Sequence, residues 1–164
     1  MTAAEIQECI ETQFGASVIL ESNLTLPQGY LVIQQESLVS ICSFLRDDER
    51  LYFDFLECLS GVDCGAEINR MEVVYHVYSI LKNHSIVLKC RTSRQEPKVP
   101  SVSSIWRTAD WHEREAYDLF GIRFEGHPQL QRIFMPEDWV GHPLRKDYKE
   151  AESYHGVSIT QESE

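Results

Sequence analysis

The sequence predicts an α+β fold: a single mixed or antiparallel sheet covered by helices on one face, followed by a further helix and an extended C-terminal strap. Three observations carry this. Apolar side chains recur at helical spacing near residues 6–14 and 38–45. The middle of the chain is dominated by β-branched and aromatic runs separated by turn residues. Beyond Gly121 the period is lost, because Pro128, Pro136 and Pro143 hold themselves and their predecessors extended.

Thr2-Ala3-Ala4-Glu5 is a capping-box pattern that starts a helix carrying Ile6, Cys9, Ile10 and Phe14, with Gly15 at its end. Residues 17–21 read as a short strand, 23–29 as a turn containing Pro27 and Gly29, and 30–34 as a second strand. Leu38, Ile41, Cys42 and Leu45 form the cleanest helical stripe, closed by the polar run 46–50. Leu51, Phe53 and Phe55 alternate with Tyr52 and Asp54, as in a strand with one face in the core. Residues 61–69 read as a loop or ragged hairpin, 70–81 as a long β run, 82–84 as its turn and 85–91 as the returning strand. Residues 92–100 form a polar connection, and Ser101 is placed to cap a short helix leading into Trp106.

Asp110 is placed to cap the next helix and Glu113 to complete an acidic first turn, while Ala116, Leu119 and Phe120 give it an apolar stripe. Arg114 and Asp118, one turn apart, are able to pair on its exposed or partner-facing side. Gly121 suits the left-handed C-terminal cap, with Ile122 as its hydrophobic contact. The expected organisation is an α+β domain over 1–103, a helix and strap over 104–149, and an acidic, flexible tail over 150–164.

A chain of 164 residues suffices for one domain with a proper core. Net charge −11 argues against nucleic acid and anionic lipid, which both reward Lys and Arg. Residues 104–149 are densely charged yet nearly neutral, with 7 basic and 8 acidic side chains, as a surface of specific ion pairs would be. No apolar run approaches the roughly 20 residues of a membrane span. The acidic start MTAAEIQECIE lacks the basic and apolar regions of a secretory signal. Five cysteines (Cys9, Cys42, Cys58, Cys64, Cys90) without C-x-x-C spacing read as reduced thiols, not as ligands of an iron–sulfur cluster.

His112, Glu113, Glu115, His127 and His142 are possible metal ligands by type, but Ala116 stands where H-E-x-x-H needs its second histidine. The two histidines that precede proline are better read as hydrogen-bonding groups. Acid–base catalysis by Glu113, Glu115 or Asp118 needs a raised pKa, and basic neighbours such as Arg114 argue for ion pairs instead. No nucleophile elbow, phosphate loop or dinucleotide fingerprint is present, so no catalytic, cofactor or metal residue is assigned. Trp106 and Trp111 are expected at least as readily in the core as at a surface, and Trp139 at an interface, where Trp and Arg are enriched.

EREAYDLFGIRFEGHP followed by QRIFMPEDWVGHPLRKDY resembles the signature of the thirty-kilodalton (C-type) subunit family of respiratory complex I, the proton-translocating NADH:quinone oxidoreductase. The match is specific from Trp106 to Tyr148, with Gln131 where that family usually has a basic residue. The resemblance implies a non-catalytic subunit of the translocase, without a cofactor of its own. Flavin (FMN), iron–sulfur clusters and quinone would reside in partner subunits, chiefly the quinone-site (D-type) subunit and its iron–sulfur neighbours. Membrane association, on the cytoplasmic side of the inner membrane, would come only through the complex. The expected partner-facing residues are Glu113, Arg114, Glu115, Asp118 and Phe120 on the helix, and His127, Arg132, Trp139, His142, Arg145, Lys146 and Tyr148 on the strap. The alternatives are the equivalent subunit of a related membrane-bound hydrogenase or formate-linked complex, or a stand-alone metal-dependent enzyme.

Overall fold

A computed structural model describes residues 1–158. Helix α1 (Ala3–Phe14) begins with the reciprocal capping box written in the sequence: Thr2 Oγ1 accepts the Glu5 N–H, and the Glu5 carboxylate accepts the Thr2 N–H. Helix α2 (Leu38–Asp47) buries Leu38, Ile41, Cys42 and Leu45. Between and after them run strands β1 (Ile19–Asn23), β2 (Tyr30–Ile33), β3 (Phe55–Asp63), β4 (Arg70–Ser79) and β5 (His84–Ser93). They form one mixed sheet in the order β1-β2-β5-β4-β3, in which only β2 and β5 are parallel.

Met71, Val73, Tyr75 and Val77 alternate along β4 on the core face, joined by Ile6 and Ile10 of α1 and Ile41 and Leu45 of α2 in one apolar cluster. The opposite face carries no helix and is partly exposed. There Val74, His76, Val87, Lys89 and Tyr30 line a surface hollow beside the 24–29 loop. The helices therefore cover one face of the sheet, as the sequence predicts.

Residues 51–54 do not begin a strand. The chain turns after α2, with the Leu51 and Tyr52 N–H groups bonded to the Asp48 carbonyl and Tyr52 at φ 45°. Leu51 and Phe53 enter the core from this turn, which mimics strand alternation, while Phe55 is exposed. Ser101 likewise caps no helix: its Oγ accepts the Ser103 N–H at 3.2 Å and donates to Glu113, but residues 102–106 make only a single turn.

Helix α3 (Ala109–Phe120) lies against β3. Gly61 permits the contact, since a Cβ there would stand 2.8 Å from the Phe120 ring and 3.1 Å from Ile122 Cδ1. The expected Asp110 cap does not form. The preceding turn already supplies carbonyls, from Trp106 to the Ala109 N–H and from Arg107 to the Asp110 N–H, so the helix starts without a side-chain cap. Strand β6 (Lys98–Pro100), inside the expected loop, pairs in parallel with β7 (Arg123–Glu125) just beyond α3. Val99, Val102, Trp106, Ala109, Ala116, Ile122 and Phe124 all belong to the same core. The core thus crosses residue 103 without a break, and α3 is part of the domain. The tail begins with a hairpin, β8 (Ser153–Tyr154) and β9 (Val157–Ser158); the remainder of the expected flexible tail lies outside the described residues.

Candidate docking surface

The strap after α3 is held to the domain at three places. The first is Asp118, on α3 and without exposed surface. Its Oδ2 accepts three successive strap N–H groups, from Ile133 (3.0 Å), Phe134 (2.7 Å) and Met135 (2.9 Å), and its Oδ1 accepts Arg132 Nη1 at 2.8 Å. Desolvation alone would raise its pKa, but the bonds from Met135, Phe134, Ile133 and Arg132 together outweigh it and hold the carboxyl below its ordinary value. Arg132 then reaches on, donating through Nη2 to the carbonyls of Trp139 and Gly141, each at 3.1 Å. One carboxylate and one guanidinium thereby fix residues 132–141 as a loop.

The second anchor is the C-terminal end of α3. The last turn of a helix leaves carbonyls without intrahelical partners. Here the Asp118 carbonyl accepts His142 Nδ1 at 2.8 Å, that of Leu119 accepts the Leu144 N–H at 3.0 Å, and that of Phe120 accepts Arg145 Nε at 2.8 Å. Gly121, at φ 77°, takes the left-handed cap, and a Cβ on it would meet the His142 ring at 2.6 Å. Burial pushes the His142 imidazole below its usual pKa.

The third is Asp63 at the end of β3. It takes a bidentate pair from Arg94 (2.8 and 2.9 Å) and the Lys146 N–H at 2.9 Å, and Arg94 in turn holds Asp147. The Arg94 guanidinium, acting against desolvation, keeps the Asp63 carboxyl far below the usual range. Trp139 closes the strap on itself, donating Nε1–H to Tyr148 Oη at 3.0 Å and meeting the Tyr154 ring at 5.2 Å with the planes tilted by 47°.

Glu113 and Asp118 therefore face this chain's own loop and strap. Arg114 does not pair with Asp118; it is buried, lies over the Trp111 ring and donates to the Gln131 carbonyl. That bond uses Gln131 backbone, so a basic side chain at this position is not needed for it. Glu113 makes no ion pair with an arginine or lysine. It accepts Ser101 Oγ at 2.6 Å and the Val102 N–H at 2.7 Å, and burial raises its pKa to about 7, opposite to the lowering expected from basic neighbours.

Glu115 and Lys146 are exposed, Phe120 is half-buried on Gly61, and Trp139, His142, Arg145 and Tyr148 are half-buried within the clamp. The outward apolar side chains are others: Phe134 (63% exposed), Val140 (85%), Leu144 (52%) and Trp111 (61%). Trp106 is in the core, its indole N–H bonded to the Phe53 carbonyl, whereas Trp111 is at the surface. Among the described residues no cluster of His, Cys, Asp and Glu is arranged to hold a metal ion. Cys42 and Cys90 are buried, the latter's thiol pushed up to about 12 by desolvation.

The class the fold defines is an α+β domain with an extended C-terminal loop braced on buried charges, beside which several large apolar side chains stand exposed. Residues 31–154 match the family model of the respiratory-chain NADH dehydrogenase 30 Kd subunit, and the chain belongs to that family. It is 47% identical over 92% of its length to the NADH-quinone oxidoreductase C subunit of Chloroherpeton thalassium, spanning 62% of that protein. It is 44% identical to the C subunit of the same enzyme from Chlorobium phaeobacteroides, over 93% of this chain and 92% of that one. The trypsin-resistant fragment of Nqo5 superposes with TM-score 0.61 at 27% identity, over 76% of this chain and 99% of the fragment. A chain of the membrane-bound sulfane sulfur reductase, an archaeal respiratory membrane complex, shares the fold at TM-score 0.73 and 20% identity, over 89% of this chain and 85% of that one.

Proposed function

We propose that this chain is a structural, cofactor-free subunit of the peripheral arm of proton-translocating NADH:quinone oxidoreductase. It docks and pre-organises the quinone-site subunit, and itself carries no catalytic group. The observation that supports this best is the braced strap. Asp118, Arg132 and Asp63 hold its backbone, so that Phe134, Val140 and Leu144 project outward from a loop tied to the domain. Pre-organisation of this kind reduces the ordering entropy of association.

Electrons would pass from NADH through FMN and iron–sulfur clusters of neighbouring subunits to quinone. The interface is expected to exceed roughly 2,000 Å², as obligate assemblies do. None of the helices among the described residues is long and apolar enough to cross a membrane, and we assign membrane attachment, on the cytoplasmic face, to the complex. Affinity purification of the tagged chain from detergent-solubilised membranes, with mass spectrometry of its partners, tests the proposal. Recovery of the quinone-site and iron–sulfur subunits with NADH:quinone activity is the expected result. Recovery of a hydrogenase assembly, or NADH oxidation by the lone chain, would overturn it.

A further inference from the structure

The face of the sheet turned away from the helices belongs neither to the core nor to the strap. Side chains alternate along β4 and β5, so Glu72, Val74 and His76 point to this face with Val87, Lys89 and Arg91, while their neighbours enter the core. The strand registers set these residues in rows. One row runs Tyr30, Val87, His76, Cys58, and the next runs Glu21, Val32, Lys89, Val74, Ser60 across the whole sheet. Gly61 and Asp63, which receive α3 and the strap, alternate onto the other side.

A sheet face made for water carries polar side chains at its outward positions, but the middle of this one is Val32, Val74 and Val87. Val32 and Val87 are already covered by their neighbours, whereas Val74 is half-buried and Leu26 (48%) and Val62 (39%) are exposed. A hollow of about 620 Å³ lies between Tyr30, Val74, His76 and Lys89 on the sheet and Leu26 and Pro27 of the adjoining loop. The charges around it are unevenly matched. Arg91 is answered on both sides, by Glu21 at 2.6 Å and Glu72 at 2.9 Å. Lys89 forms no ion pair among the described residues; its Nζ rests 3.6 Å from the centre of the Tyr30 ring. Glu21, the carboxylate that feels its charge, is spent on Arg91 and on the Tyr30 hydroxyl.

We propose that this face is a second docking surface, for a segment of another protein chain that sets an apolar side chain in the hollow and a carboxylate against Lys89. Charge complementarity selects that occupant. A polyanion such as nucleic acid or an anionic lipid surface needs many unmatched cations, and this face offers one, in a chain of net charge −11. A second copy meeting the face with its own would set Lys89 against Lys89. A single carboxylate, held on an apolar ground and bonded to the ammonium, satisfies both features at once. The surface lies across the sheet from the strap, so the chain would stand between two contacts instead of hanging from one.

The test puts a photo-crosslinking phenylalanine analogue in place of His76 in the full chain in cells, and identifies the joined peptides in the complex purified from their membranes. The expected result is a crosslink to a segment of another subunit that carries Asp or Glu beside apolar residues. Lys89→Glu is expected to lower recovery of the complex about tenfold at an unchanged unfolding midpoint, and Lys89→Arg to retain it. Where Lys89→Glu does not fold, the crosslink in the chain that keeps Lys89 decides. The same analogue at Val140 reports on the strap alone, so failure there strikes the strap and not this face. No crosslink from position 76, a crosslink only to lipid or to a second copy of this chain, a joined segment without a carboxylate, or full assembly of Lys89→Glu would each overturn the proposal.

Discussion

Glu113 and Asp118 stand five residues apart on one helix, and neither has any exposed surface, yet their surroundings act on them in opposite senses. Asp118 meets an arginine and three backbone N–H groups, and its charged form is the stable one. Glu113 meets a hydroxyl and one N–H, with a second carboxylate nearby, and its neutral form is favoured. Burial raises the cost of charge at both. The number and charge of the donors decide the outcome: the C-terminal half of α3 holds the strap through a carboxylate, while its N-terminal half buries a carboxyl whose charge is disfavoured.

The contrast is sharpest on removal of each carboxyl. Asp118→Ala strands Arg132 and three strap N–H groups, and is expected to cost about 3–5 kcal/mol, the usual range for breaking a buried pair. Denaturant unfolding measures it, and trypsin should then cut faster after Arg123 and Arg132. An equal or larger loss in Glu113→Gln would break the comparison.

The pH dependence comes next. The folded pKa of Glu113 is raised, from 4.5 to about 7, so its contribution is complete below pH 4.5 and is lost as pH rises through 7, amounting to about 3 kcal/mol. The folded pKa values of Asp118 and Asp63 are lowered, so theirs is present above the unfolded value and is lost on acidification. Unfolding of the wild-type chain and Glu113→Gln at pH 5 and pH 8 checks the alkaline arm: the two should converge in pH dependence only if another group carries it.

Gly121→Ala puts a side chain at φ 77° and into the His142 ring, and is expected to cost about 1–3 kcal/mol, read as a lower denaturation midpoint. Val140→Asp with Leu144→Asp should have the smallest effect on the isolated chain, within about 0.5 kcal/mol, since both side chains face solvent.

What was legible in the sequence was local. The Thr2–Glu5 capping box, the α2 stripe, the hairpin of β4 and β5 and the Gly121 cap each depend on residues within a few positions of one another. The anchors of the strap do not. Asp63 finds Arg94 31 residues on and the Lys146 N–H 83 residues on, and Asp118 is satisfied by backbone N–H groups, which any residue supplies. The Arg114–Asp118 spacing pointed to a pair on the surface, but the turn at 132–135 offered Asp118 more donors, and both side chains went inward. Proline content marked the strap as an extended segment, while which of its side chains face outward depended on which groups the clamp consumed.

The central claim is that the braced strap is a preformed surface for another subunit. Its most direct measurement is the amount of assembled, membrane-bound complex recovered with the chain carrying Val140→Asp and Leu144→Asp, against wild type at matched stability. The account predicts that assembly falls at least tenfold while the unfolding midpoint of the isolated chain is unchanged. Full assembly of the doubly substituted chain would contradict it.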